Sequence, residues 1–208
     1  MCFSAPASFT ASAVLSIIGA ILIYKTKTKR FYPLAVIPFG FAIQQAAEGF
    51  VWLDLSEPTF AKNIFLFFAY SFWPIWIPFS LWIVEKDPRR EKAILFFCGM
   101  GLVAGLFWTS MMPEITPVYY RCCIRYIYSS NTSLFTLFAM GSSFSVALLS
   151  PFFISSLKMS KAIGIFSLIG AVVIELIDVN LFTSVWCFYI ALISISLFWL
   201  VKKNEYPS

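Results

Sequence analysis

Seven apolar runs, each close to the length that crosses a bilayer, fill nearly all of this 208-residue chain, and its basic residues gather in alternate gaps between them. About 20 residues of α-helix at 1.5 Å rise cover the roughly 30 Å hydrocarbon core. A backbone can pass through lipid only with its polar groups bonded internally, which leaves helices or closed barrels. The expectation is an all-α polytopic membrane helix bundle. It has seven transmembrane helices, over residues 5–24, 31–53, 64–84, 93–112, 134–154, 162–177 and 181–201, in one domain covering 1–208.

The net charge of +5 is a sidedness signal once the positions are read. Twelve of the fifteen Lys and Arg lie at residues 25–30, 85–92, 158–161 and 202–203, and only Lys62, Arg121 and Arg125 lie in the other gaps. The excess of cations on cytoplasmic loops then sets the N-terminus outside and the C-terminus in the cytoplasm. The first run is expected to be a helix and not a signal peptide, because its positive charges follow it. The sixth run, short and partly polar, is the weakest of the seven as a full crossing. No internal repeat or linker is visible.

The chain contains 24 Phe, 9 Tyr and 7 Trp but no His. That absence removes Ser-His-Asp and Cys-His nucleophile systems and histidine-held zinc. Neither a metal site nor a cofactor is expected, and nucleic acid is not an expected partner. The expected partners are the lipid bilayer, a small solute or cation, and a second copy through small-residue helix faces. Such faces are Ser8, Ser12, Ser16 and Ala20 on the first run and Gly101-x-x-x-Gly105 on the fourth, both suited to close helix packing.

The polar residues inside the runs carry the functional argument. Gln44, Glu48 and Trp52 recur every four residues on one face of the second helix, with Gln45 beside them. Counting residues puts Glu48 about 9 Å below Asp54. A carboxylate at that depth is costly unless it is paired, protonated or hydrated, so it marks a functional site by default. The plainer alternative is a glutamate that bonds to the glutamines and locks helices together. Glu175 and Asp178, three residues apart, are candidates to join Glu48 around an outward-facing cavity; at a helix end, acids are also ordinary. In the third run Trp73-Pro74 and Pro78 free backbone carbonyls and predict a kink.

The segment Tyr119-Tyr120-Arg121-Cys122-Cys123-Ile124-Arg125-Tyr126-Ile127-Tyr128 reads as an aromatic belt. Its arginines are natural partners for Glu48, Glu175 or an anion, and its spacing fits helix or strand equally. Cys2, Cys122, Cys123 and Cys187 fall on the outer side, where disulfides are permitted, but the pairing is not legible. Ser142, Ser143 and Ser145 are expected to bond backbone carbonyls. Asn131-Thr132-Ser133 matches a glycosylation sequon by pattern.

The opening Met1-Cys2-Phe3-Ser4-Ala5, with Ala7-Ser8-Phe9, Gln44-Gln45-x-x-Glu48-Gly49 and Trp73-Pro74, resembles a family of small, mostly bacterial, uncharacterised integral membrane proteins. The resemblance implies a compact multi-helix protein of this length. It draws Cys2, Ser4, Gln44, Gln45, Glu48, Trp73 and Pro74 into one constellation, and it brings no activity or cofactor.

Three functional classes remain. The first is solute or ion binding, or transport, at a polar site formed by Glu48, Gln44, Gln45, Trp52 and Trp73, with Glu175, Arg121, Arg125, Cys2 and Ser4 around it. The second is a membrane-embedded enzyme using Cys2 or another outer thiol, its pKa lowered by Arg121 or Arg125. The third is a sensor or assembly subunit without a small-molecule site, marked by a dry, packed outer half.

Overall fold

The computed structural model describes residues 4–55, 60–121, 123–128, 133–178 and 182–205. The expectations resting on Cys2, Cys122 and the Asn131-Thr132 sequon lie outside these residues. The fold is a bundle of seven helical columns. The first is α1 (Ala5–Lys25), and the second is α2 (Tyr32–Ala35) continued by α3 (Ile37–Leu53). The third is α4 (Phe60–Leu66), a π-helical stretch over Phe67–Phe72, and α5 (Trp73–Val84). Next come α6 (Pro88–Met111), α7 (Leu134–Ile154) and α8 (Ser160–Asp178). The last column is α9 (Phe182–Ile193) and α10 (Leu197–Glu205).

Six columns are long and apolar enough to cross a membrane, and the seventh contributes a shorter apolar helix over Phe138–Ile154. The sixth run forms an unbroken helix of 19 residues. The perimeter carries apolar side chains: Ile17 on α1, Val103 and Leu106 on α6, and Phe166 and Ile169 on α8 are each more than half exposed. In water that surface would be unfavourable; against lipid it is matched. These are features of a multi-pass membrane protein.

The basic gaps meet at one end of the bundle. Glu205 accepts hydrogen bonds from the backbone N–H of Lys27 (2.7 Å) and of Thr28. Asn204 bonds both the N–H and the carbonyl of Lys158, at 2.9 and 3.1 Å. Arg90 Nη1 donates to Ile154 O at 3.1 Å. Glu85, 1% exposed, holds this end most firmly. Its carboxylate accepts from Ser156 N (2.7 Å), Ser156 Oγ (2.6 Å), Lys86 N (3.0 Å) and Asp87 N (3.1 Å). Burial works to raise its pKa, but these bonds outweigh it and hold the group at about 2.

The proline pair does more than bend a helix. Pro74 lacks the N–H that Tyr70 O would accept in a regular helix, and its ring crowds that carbonyl. The chain answers with the π-helical stretch just before it, a wider turn that relieves the crowding. Pro78 in turn leaves Pro74 O without its regular donor, and α6 comes to lie against that oxygen. A Cβ added to Gly101 would stand 1.8 Å from Pro74 O, and one on Gly105 2.9 Å from Ser71 O. The Gly101-x-x-x-Gly105 expectation is met in this way, with Ser71 Oγ and Thr109 Oγ1 bonded across the seam at 2.8 Å.

The small-residue stripe on α1 is corrected. Its buried face is Ser8, Ala11, Leu15, Gly19 and Leu22, while Ala20 is exposed. Spacings of three and four alternate along a straight helix, so a strict four-residue row drifts off the contact. Gly19 meets the backbone of Phe39 on α3, where an added Cβ would stand 2.8 Å from Phe39 N. Ser145 Oγ donates to Gly141 O at 3.1 Å, as expected of a helical serine.

The tyrosine-rich segment is a β-hairpin, which spacing alone had left open. β1 (Ile115–Tyr120) pairs antiparallel with β2 (Cys123–Tyr128), with Tyr120 opposite Cys123. Arg121 in the turn has φ 55, the left-handed region that two-residue hairpin turns demand. Ile115, Ile124 and Tyr126 are buried against α3, α4 and α9, so this face of the ribbon covers the end of the bundle opposite the basic loops. Lys62, itself buried, donates to Ile115 O at 3.0 Å and ties the ribbon to α4.

Candidate polar site beneath the hairpin

Glu48 lies inside the bundle, 1% exposed, with Gln44 and Gln45 fully enclosed beside it. The helix face Gln44-x-x-x-Glu48 turns toward α9 and α5 because Phe41, Ala42, Ala47 and Val51 pack into the core around it. Ser184 Oγ on α9 donates to Glu48 Oε1, and Gln45 Nε2 donates to Oε2 at 3.3 Å. Gln44 Oε1 accepts the indole N–H of Trp73 at 2.6 Å. Trp73 reaches it by stacking on Phe41 (centroids 3.9 Å apart) and lying over Gly40, where an added Cβ would stand 2.8 Å from the ring. Cys187 borders Gln44 and Glu48, and Tyr126 of the hairpin closes the top, stacked on Phe65 at 5.1 Å. Burial pushes the Tyr126 phenol well above its ordinary pKa, and the nearby Glu48 carboxylate adds to the rise.

Three buried polar atoms of this cluster find no oxygen or nitrogen partner among the described residues: Gln44 Nε2, which faces only the weakly accepting Cys187 sulfur, Gln45 Oε1 and the Tyr126 hydroxyl. Each such atom costs about 1–3 kcal/mol in a packed interior, so three together call for an explanation. Next to them a second network runs from Tyr70 OH to Tyr128 OH and to Thr183 Oγ1, each at 2.6 Å. It joins the π-helical stretch, the hairpin and α9.

Of the residues expected at the site, Gln44, Gln45, Glu48 and Trp73 come together. Trp52 is half-buried at the rim, edge-on to Tyr119, and its indole N–H has no partner. The others lie elsewhere. Glu175 is exposed on α8. Arg121 Nη1 lies 3.4 Å from Asp178 Oδ2, and Arg125 sits over the Tyr120 ring at 5.6 Å. The strand alternation that buries Tyr126 turns Arg125 to the other face of the ribbon. Ser4 caps α1 through its backbone carbonyl, which accepts from Ser8 N at 3.0 Å. Cys2 lies outside the described residues; Phe9, close by in sequence, packs on Gly49, so α1 and the top of α3 do share this end. Cys98, Cys123 and Cys187 are free thiols.

Ser184, Tyr126 and the Tyr70 network are absent from the sequence-level set. Thr183, Ser184 and Cys187 were findable by the rule applied to the second run, since they share one helix face at spacings of three and four. Tyr126 was not, because its role depends on strand register.

A groove of about 550 Å³ lies beside the cluster between α3 and α4, but Ala47, Phe50 and Ile64 line it and Glu48 does not. Among the described residues no group of three metal-ligating side chains occurs. No curated protein and no solved structure matches the chain. A family model matches residues 1–208, the full extent of the polar cluster, the hairpin and all seven columns, and the chain thus belongs to the family of unknown function DUF6629.

Proposed function

We propose that this is a seven-span protein of the bacterial cytoplasmic membrane, N-terminus outside, that binds a proton or a small cation at Glu48 in an occluded site. One observation carries the reading. Glu48 is sealed from solvent, no Lys or Arg among the described residues pairs with it, and unsatisfied amide groups stand next to it. A lone carboxylate in such surroundings is strongly destabilising unless a positive charge or a proton meets it. The acceptors available to a cation are the Glu48 oxygens, Gln45 Oε1 and the Ser184 hydroxyl. Gln44 Nε2 and Tyr126 OH are left to donate to a water or an anion that accompanies it. Access would come from movement of the hairpin, which closes the site from above, or of the π-helical stretch, where a non-standard turn often marks a functional hinge. Transport, as distinct from binding, would require that movement to alternate with an opening toward the basic end.

Thermal unfolding of the purified full chain tests this. It is measured in Na⁺, K⁺, Li⁺ and methylammonium chlorides at constant ionic strength, against N-methylglucamine, and across pH. A cation at 100 times its dissociation constant stabilises by about 2.7 kcal/mol. The expected result is a shift with one cation, or with protons, that disappears in Glu48→Gln. Identical responses in the wild type and in Glu48→Gln would remove Glu48 from ligand binding.

A second reading, a sensor or assembly subunit without a small-molecule site, is favoured by the burial of Glu48 and by the groove beside it, which Glu48 does not line. A partner protein that copurifies, together with a cation-independent Tm, supports it. The thiol-enzyme reading rests first on Cys2, which lies outside the described residues; for the other outer thiol Cys187, Arg121 and Arg125 are engaged elsewhere, with Asp178 and the Tyr120 ring.

A further inference from the structure

The basic end holds a cleft of about 430 Å³ between the last turn of α1 and α10. Its rim carries Lys25, Lys27 and Lys202, and its floor is Leu22, Phe198 and Val201. Glu205 is the one acid in the lining, and its Oε1 is taken by the N–H groups of Lys27 and Thr28. Lys25 lies over the Phe198 ring at 5.6 Å, and among the described residues neither Lys25 nor Lys202 pairs with a carboxylate. Two ammonium groups at one cleft, those of Lys25 and Lys202, repel each other unless an anion sits between them. The exposed Tyr24 on the same turn is an interfacial anchor that sets this cleft at headgroup depth.

We infer that this cleft is a binding site for an anionic phospholipid, its phosphate between Lys25 and Lys202 and its glycerol and first methylenes on Leu22, Phe198 and Val201. Charge selects a phosphate. The apolar floor selects the lipid over free phosphate, because a small inorganic ion would leave that floor wet. The volume falls in the usual range for a ligand of that size. Basic pockets between helices on the cytoplasmic side are the recurrent form of such recognition. The inference needs the membrane placement but not the Glu48 site, so either can fail alone.

The test uses the full chain in phosphatidylcholine nanodiscs titrated with phosphatidylglycerol, with retained lipid counted by native mass spectrometry. Wild type should keep one phosphatidylglycerol in preference to phosphatidylcholine. The Lys25→Gln/Lys202→Gln double variant should weaken that retention about 30-fold, from roughly fivefold per surface cation. The control Lys158→Gln/Lys161→Gln removes equal charge from the same end outside the cleft, and should retain the lipid as wild type does. Equal losses in both variants would mean a general basic belt and overturn the site. A measurement on wild type alone stands even if the variants do not fold. Excess inorganic phosphate should leave the lipid bound; displacement by it, or no preference for phosphatidylglycerol at all, overturns the inference.

Discussion

Replacing Gly101 with Ala adds a single methyl group where α6 lies against the backbone of α5. The new Cβ would lie 1.8 Å from Pro74 O. Ordinary carbon–oxygen contact needs about 3.5 Å, so α5 and α6 must separate locally by more than 1.5 Å, or Pro74 O must turn away. Neither adjustment is easy. The carbonyl is backbone, fixed between two prolines, and the same seam is pinned by Ser71 and Thr109 and by Gly105 against Ser71 O. Overpacking of a fitted core costs about 1–3 kcal/mol, and a backbone obstacle puts this case at or above the upper figure. The lost van der Waals contact of the separated helices adds to it, since in lipid such contact is a main source of association. The same chain supplies the controls. An added Cβ at Gly99 or Gly141 meets nothing within 4 Å, so Ala at either should be neutral or gain up to about 1 kcal/mol from helix propensity. Gly99 lies two residues from Gly101 on the same helix, so insertion and expression are matched. The assay is equilibrium unfolding in mixed micelles, with all three variants beside wild type. If Gly101→Ala unfolds with Gly99→Ala, the proposed backbone contact between α5 and α6 is wrong.

Three further outcomes follow from the hydrogen-bond geometry. Trp73→Phe removes the donor to Gln44 Oε1 and leaves that buried amide with only the weakly accepting Cys187 sulfur beside it, so stability should fall by about 1–3 kcal/mol; Trp73→Phe combined with Gln44→Leu should recover part of the loss, and no recovery would contradict the pairing. Tyr70→Phe removes the hydroxyl that joins Tyr128 and Thr183, leaves those two with each other, and should raise hydrogen exchange in the hairpin and the first turn of α9, while exchange at the basic end stays unchanged. Glu85→Gln should destabilise by about 2 kcal/mol at neutral pH by weakening charge-assisted bonds. Because the folded pKa of Glu85 lies below its ordinary 4.5, at about 2, its contribution is complete above pH 4.5 and fades as pH falls toward 2; a gap between wild type and Glu85→Gln that stays constant through that window would refute the assignment.

The sequence alone determined the architecture. Seven apolar runs of bilayer length, cations in alternate gaps and a Gly101-x-x-x-Gly105 seam are local, additive signals that depend on composition and helical period. The same period put Gln44 and Glu48 on one face and flagged a charge that hydrocarbon does not tolerate alone. The tertiary structure decided which elements meet that charge. Ser184 arrives from 136 residues away, Tyr126 points inward only because the hairpin register fixes its parity, and Arg125 points outward for the same reason. The packed face of α1 followed contacts with α3 and not a row of small residues, and Glu175 fell on the perimeter because α8 turns Gly164 and Gly170 inward. Period states what lies on one side of a helix. Which neighbour that side faces is fixed by packing of the whole chain, and no single segment carries that information.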